Sequence, residues 1–194
     1  MLKKISLLLL SLVLCATITG CGKVNNKPAT TENKQTPPTA STTKMTFADL
    51  HFKVIYPQSF KIENVESGIN LKHKLPEETC QTKPEAPCQT NMVFTYHSGQ
   101  DSLKSVLFFA GHPDQKEFQP IQINNQNASA VSGTLKNTTG AGTLNEKLVI
   151  VTPDDFKGFF TISMQWPKEF ENETYVKDLQ NQMDTILQTF TVIQ

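Results

Sequence analysis

From Phe52 to Trp166 apolar side chains recur at every second residue in short runs, each closed by proline, glycine, asparagine or a cluster of charges. A period of two places alternate side chains on opposite faces of a strand, so such a chain can only bury its apolar set in a sheet. The clearest run is Ile69, Leu71, His73 and Leu75 alternating with Asn70, Lys72 and Lys74. Phe52, Val54 and Tyr56 form a run that stops at Pro57, and Phe60 and Ile62 resume after a short turn. Met92 to His97 reads as a returning strand. Ile121 and Ile123 precede the turn Asn124-Asn125, and Ala128 to Leu135 follows. Asn137 to Gly142 is a loop before Leu148 to Val151, Pro153 to Asp155 turn the chain, and Phe159 to Trp166 is the last long strand. The pattern predicts consecutive antiparallel hairpins.

Two segments break the period. Asp101 or Ser102 can cap a helix that carries Leu103, Val106, Leu107 and Ala110 on one side, while the pair Phe108-Phe109 leaves a buried strand as the alternative. At the end of the chain Tyr175, Val176, Leu179, Met183, Ile186, Leu187 and Phe190 sit three and four apart, which predicts an amphipathic helix with Asn172 as its cap. One apolar stripe needs one partner, and the sheet supplies it. The expected fold class is therefore α+β, an antiparallel sheet flanked by helices, with the C-terminal helix packed on the sheet.

The first residues follow another logic. Lys3 and Lys4 precede the apolar run Ile5 to Leu14, which is too short to span a bilayer as a lasting helix. Ile18-Thr19-Gly20-Cys21 follows and resembles the lipobox of bacterial lipoproteins at each position. That resemblance implies a signal peptide over residues 1–20, cleavage before Cys21, and diacylglycerol on the Cys21 sulfur. Membrane lipid would then hold the chain on an extracytoplasmic face, at the outer membrane or the outer face of the cell membrane. Residues 21–45 carry few large apolar groups and are rich in Thr, Asn, Lys and Pro, a composition that predicts a disordered tether. As a flexible coil it would reach roughly 25–30 Å. The expected globular domain spans residues 46–194.

Cysteine usage fits export. Cys15 leaves with the leader and Cys21 takes the lipid, which leaves Cys80 and Cys88 as an even pair in an oxidising compartment. The segment between them, Gln81 to Pro87, is polar and proline-rich, so a disulfide stapling a surface loop is expected. Two thiols without a nearby Cys or His pair make a poor zinc site.

The order of elements resembles the PsbP-like domains, carried by Tyr56-Pro57 at a strand end and by the closing helix from Ile186 to Phe190. That resemblance implies an α/β/α sandwich around a curved antiparallel sheet. It also implies a binding or assembly role, and no catalytic or ligand motif transfers with it.

No catalytic residue, metal ligand or cofactor site is expected. All 18 cationic residues are lysines, and removal of residues 1–20 leaves a net charge of −2, which argues against nucleic-acid binding. Ser41-Thr-Thr-Lys44 matches a penicillin-binding motif but lies in the tether without its partner motifs. His112-Pro-Asp114 reads as a turn. The histidines at 51, 73, 97 and 112 are scattered. Pairing Leu75 with Asn91 would set His73 opposite Val93 and His97 opposite Ile69, too far apart to share an ion. Glu169, Glu171 and Glu173, and the pair Asp154-Asp155, read as solvated faces. The expected role is a non-enzymatic binding or assembly module with an envelope protein as partner. An envelope hydrolase with dispersed residues is the alternative.

Overall fold

The structure, a computed structural model, describes residues 41–111, 117–136 and 141–193. The leader, Cys21, the tether as far as residue 40, His112-Pro-Asp114 and Asn137 lie outside the described residues.

Seven strands form one antiparallel sheet. In chain order they are β3 (Lys61–Val65), β4 (Gly68–Lys74), β5 (Gln89–Ser98), β6 (Gln119–Ile123), β7 (Gln126–Lys136), β8 (Thr143–Val151) and β9 (Gly158–Pro167). Their spatial order is β3-β4-β5-β9-β8-β7-β6, so the last long strand inserts beside β5 and leaves β6 at an edge. Asn124 and Asn125 make the tight β6–β7 turn with φ of 45° and 64°, the left-handed geometry asparagine tolerates. A second sheet of three strands joins β1 (Thr42–Phe47), β2 (Phe52–Pro57) and β10 (Thr191–Val192) in the order β1-β2-β10.

Among the described residues three α-helices complete the fold: α1 (Glu77–Thr82), α2 (Leu103–Phe109) and α3 (Thr174–Thr189). The expected α+β class with a C-terminal helix packed on the sheet is what the chain forms. Val176, Leu179, Met183, Ile186 and Leu187 are the buried residues of α3. Most of them join Phe52, Val54 and Tyr56 of β2 in covering one face of the large sheet, over Leu71, Phe94, Phe160 and Ile162. Phe52 stacks on Phe94 at 5.5 Å and lies 5.4 Å from Phe190. The other face is covered in part by α2, where Leu107 meets Val131, Leu148, Ile150 and Phe159.

Several expectations change in detail. The strand β1 takes in Thr42 to Met45, which the sequence assigns to the tether, because they pair antiparallel with Pro57 to Val54. Their side chains alternate exposed and half-buried, as on an edge strand, and that polarity reads as tether in the sequence. Tyr175 is 36% exposed and stands outside the α3 stripe. Glu173, not Asn172, occupies the cap position, with no side-chain cap bond. The expected 81–87 loop starts inside a helical turn, since α1 contains Cys80.

Register is the largest correction. His73 lies opposite Thr90 and Asn70 opposite Val93, while the Leu75 amide donates to the Cys88 carbonyl at 3.1 Å. The helical turn of α1 shortens the connection, so β5 starts earlier than a simple loop would require. The slip is an odd number of residues, which moves side chains to opposite faces. His73 therefore shares the face of Thr90, and His97, paired with Phe159, stands on the other.

Candidate functional site

The face carrying α2 is left open toward the other end of the strands. Lys72, Asn91, Gln165 and Glu146 line up there in one row across β4, β5, β9 and β8. Strand spacing sets these side chains about 4.8 Å apart. The next row holds Lys74 opposite Gln89, and Leu144 opposite Pro167. Above these rows the α1 segment folds over the strand ends and is tied there by the disulfide between Cys80 and Cys88, whose Cα atoms are 5.7 Å apart. The result is a cleft of about 600 Å³ with Asn91, Gln89 and Leu144 on its floor and Leu75, Pro87 and the disulfide among its walls. Behind that wall Leu75, Ala86, Phe170 and Val176 form a small apolar cluster that supports the disulfide.

The floor is a hydrogen-bonded network. Asn91 Oδ1 accepts from Asn70 Nδ2 at 3.4 Å and from Gln89 Nε2 at 3.2 Å. Gln165 Nε2 donates to Ser163 Oγ at 2.8 Å and to Glu146 Oε1 at 3.3 Å, and Ser163 donates to the same carboxylate. Glu146 is only 4% exposed. A buried carboxylate needs such donors, since burial without them is costly.

Beside the cleft the turn Lys168–Phe170 brings in Glu169. Its Oε1 accepts the Thr143 amide at 2.9 Å, and Lys83 Nζ donates to its carbonyl while lying 5.3 Å from the Phe170 ring centroid. Gly142 makes this contact possible. At φ +92° a side chain there would be strained, and its Cβ would stand 2.5 Å from Pro87 Cδ. Glu169 is thus not the solvated carboxylate the sequence suggests, and Glu171 accepts from Asn145 Nδ2 at 2.7 Å.

Three buried polar atoms lack a hydrogen-bond partner among the described residues: Asn70 Oδ1, Gln126 Oε1 and Glu169 Oε2.

The histidines are dispersed as expected, in different places. His73 Nδ1 lies 2.8 Å from the Lys74 carbonyl and 3.3 Å from Tyr175 Oη. Burial lowers its pKa, partly offset by that carbonyl. His97 stacks on Phe159 with Nε2 2.9 Å from Thr161 Oγ1. Burial lowers its pKa too, against a smaller upward pull from Asp101. Asp101 stands 4.0 Å from Nδ1, beyond hydrogen-bond range, and is 3.4 Å from Ser98 Oγ instead. The Asp–His–Thr line resembles an acyl-transfer set in its order, but Thr161 is 8% exposed. His97 also lies at the far end of β5 from the cleft, six residues or about 20 Å from Asn91. Among the described residues no group of three or more His, Cys, Asp or Glu could hold a metal ion. Among them also no helix is long and apolar enough to cross a membrane.

Sequence reasoning missed the floor. Asn70, Asn91, Gln165 and Glu146 read as the polar half of an alternating pattern, and nothing local marks them as buried. The one usable signal was amide and carboxylate side chains on every long strand bordering the cysteine pair.

No family model matches the chain, and no curated protein matches it. Solved structures similar to it include a protein from Bacteroides thetaiotaomicron VPI-5482 at 12% identity and a TM-score of 0.48. That match covers 74% of this chain and 46% of the other, so the chain spans about half the length of that protein. The Saccharomyces cerevisiae Ran-binding protein Mog1p matches at 11% identity and a TM-score of 0.48, over 80% of this chain and 97% of its own. Cyanobacterial PsbP (CyanoP) from Synechocystis sp. PCC 6803 matches at 10% identity and 0.46, over 79% and 93%. These likenesses are too remote to carry any residue's role across.

Proposed function

We propose that the chain is a lipid-anchored, extracytoplasmic binding or assembly module that receives its ligand in the cleft beside the Cys80–Cys88 disulfide. The anchor rests on the lipobox at Ile18 to Cys21. The binding role rests on one observation: the open part of the large sheet ends in a cleft of about 600 Å³ whose floor is amide side chains and whose wall is fixed covalently. A concave site with a few convergent polar groups on rigid elements is what recognition needs. Among the described residues no nucleophile, base and orienting group converge on it.

Site-directed photo-crosslinking in the native envelope tests this reading. A crosslinking residue at Asn91 or Gln89 of the full chain should give one discrete adduct. The same group at Lys104, an exposed position on α2, should not. An adduct from Lys104 and none from the cleft would refute it. His97 with Thr161 favours the hydrolase reading. If the chain hydrolysed an envelope component and Thr161→Val abolished that turnover, the hydrolase would replace the binding module.

A further inference from the structure

Two hydrogen-bond donors on the cleft floor have nothing to donate to, and one of them is charged. Lys74 lines the cleft, and its ammonium makes no ion pair or hydrogen bond among the described residues. Lys72, two residues back on the same face, is by contrast paired with Glu63. Asn91 also lines the cleft. Its Oδ1 already accepts from Asn70 and Gln89, and its Nδ2 donates to nothing among the described residues. Lys74 lies opposite Gln89, and Asn91 opposite Lys72. The two donors are therefore diagonal neighbours on one face, about 7–8 Å apart at the backbone and within reach of a long side chain. One acceptor group can meet both.

Charge narrows that acceptor. An ammonium and an amide nitrogen only donate, and a bond from a cation is strongest to an anion. Glu77 lines the same cleft from α1, with one oxygen accepting from Gln81 at 3.3 Å. The cleft thus holds one cation and one carboxylate. A singly charged acid balances Lys74, whereas the second charge of a phosphate monoester would face Glu77 uncompensated.

The remaining lining describes what carries the acid. Leu144 on the floor, with Pro87 and the disulfide in the walls, is apolar. Leu144 belongs to β8, two strands from Gln89 on β5, a distance of about 10 Å. A bare acetate would leave that surface wet. An aliphatic body of similar length covers it.

Resting on the cleft being the ligand site, we infer that its ligand ends in a single carboxylate, held by Lys74 and Asn91, on an apolar body that lies along Pro87 and Leu144. A free aliphatic acid and the C-terminus of an apolar polypeptide tail share this chemistry, and the test separates them.

The full chain in lipid nanodiscs is titrated calorimetrically with octanoate, octanamide and acetate, with empty nanodiscs as the blank. A peptide ending in valine and leucine, with its terminus free or amidated, forms the second arm. In at least one arm the acid should bind about tenfold more tightly than its amide, and acetate should bind far more weakly. The arm that shows the preference identifies the source. Lys74→Gln changes an exposed residue, so the fold is spared. It should weaken the preferred acid about tenfold and leave the amide unchanged. Asn91→Asp keeps the acceptor for Asn70 and Gln89 but removes the donor, and should weaken the acid as well. Equal affinity for acid and amide in both arms, or insensitivity to Lys74→Gln, would overturn the inference. If neither acid binds while a group at Gln89 still crosslinks, the cleft reading stands and the carboxylate falls. If crosslinks from the cleft are absent as well, both fall.

Discussion

His97 reaches diagonally from β5 to β9 and places its Nε2 2.9 Å from the hydroxyl of Thr161. That contact, with the Phe159 ring beneath it, holds a half-buried imidazole near the chain turn into α2. His73, on the other face, is also half-buried, and burial lowers the pKa of both below the ordinary 6.5. The unfolded chain then binds protons first as pH falls. Stability contributed by these neutral rings is complete above pH 6.5 and is lost as pH drops through the window between that value and their lowered folded values. Urea midpoints should therefore fall from about pH 7 to about pH 5. The double variant His73→Gln, His97→Gln should lose most of that slope. A midpoint that rises on acidification would contradict the assignment.

Anchoring is tested by chemistry. Metabolic labelling with a fatty-acid probe should mark the protein, and Cys21→Ala should abolish the mark. Label that survives in the variant would remove the basis for the anchor. If the anchor serves to concentrate a modest binder above the membrane, any other membrane anchor should restore function to Cys21→Ala, even with residues 22–40 scrambled.

Losing the disulfide should damage the cleft more than the fold. Cys80 and Cys88 are eight positions apart, and closing so small a ring contributes about 2–3 kcal/mol on the chain-entropy model. The rest of the sheet does not depend on it. Cys80→Ala with Cys88→Ala should lower the thermal midpoint, keep a cooperative transition, and weaken the crosslink from Asn91 severalfold. An unchanged crosslink would show that the α1 wall is held by the Leu75, Ala86, Phe170 and Val176 cluster alone.

Phe52 offers the sharpest test of how the two sheets join. It is 0% exposed and packs against Phe94, Phe160 and Phe190. Phe52→Ala should cost about 3–5 kcal/mol in chemical denaturation. Phe108→Ala, at a position 66% exposed, should cost far less. Comparable losses would mean that β2 does not close the core as described.

The sequence by itself determined the classes of element and most of their limits. Side-chain alternation from Ile69 to Leu75, the Asn124-Asn125 turn and the three-and-four spacing of Val176 to Leu187 are local signals, and local backbone sterics and amphipathicity act within a few residues. It also determined that Cys80 and Cys88 were the available pair. What only the tertiary structure decided depends on contacts between distant segments. The insertion of β9 beside β5 brings Gln165 next to Asn91, and the odd shift in β4–β5 register turns His73 and His97 to opposite faces. Thr42 to Met45 became a strand because Val54 to Pro57 lay free to pair with them. Asn70 and Glu169 are ordinary polar residues until packing buries them without a donor. Burial and orphaned hydrogen-bonding capacity are properties of an assembled surface, so no single window of sequence marks the cleft, and only the polar side chains shared by several distant strands hint at it.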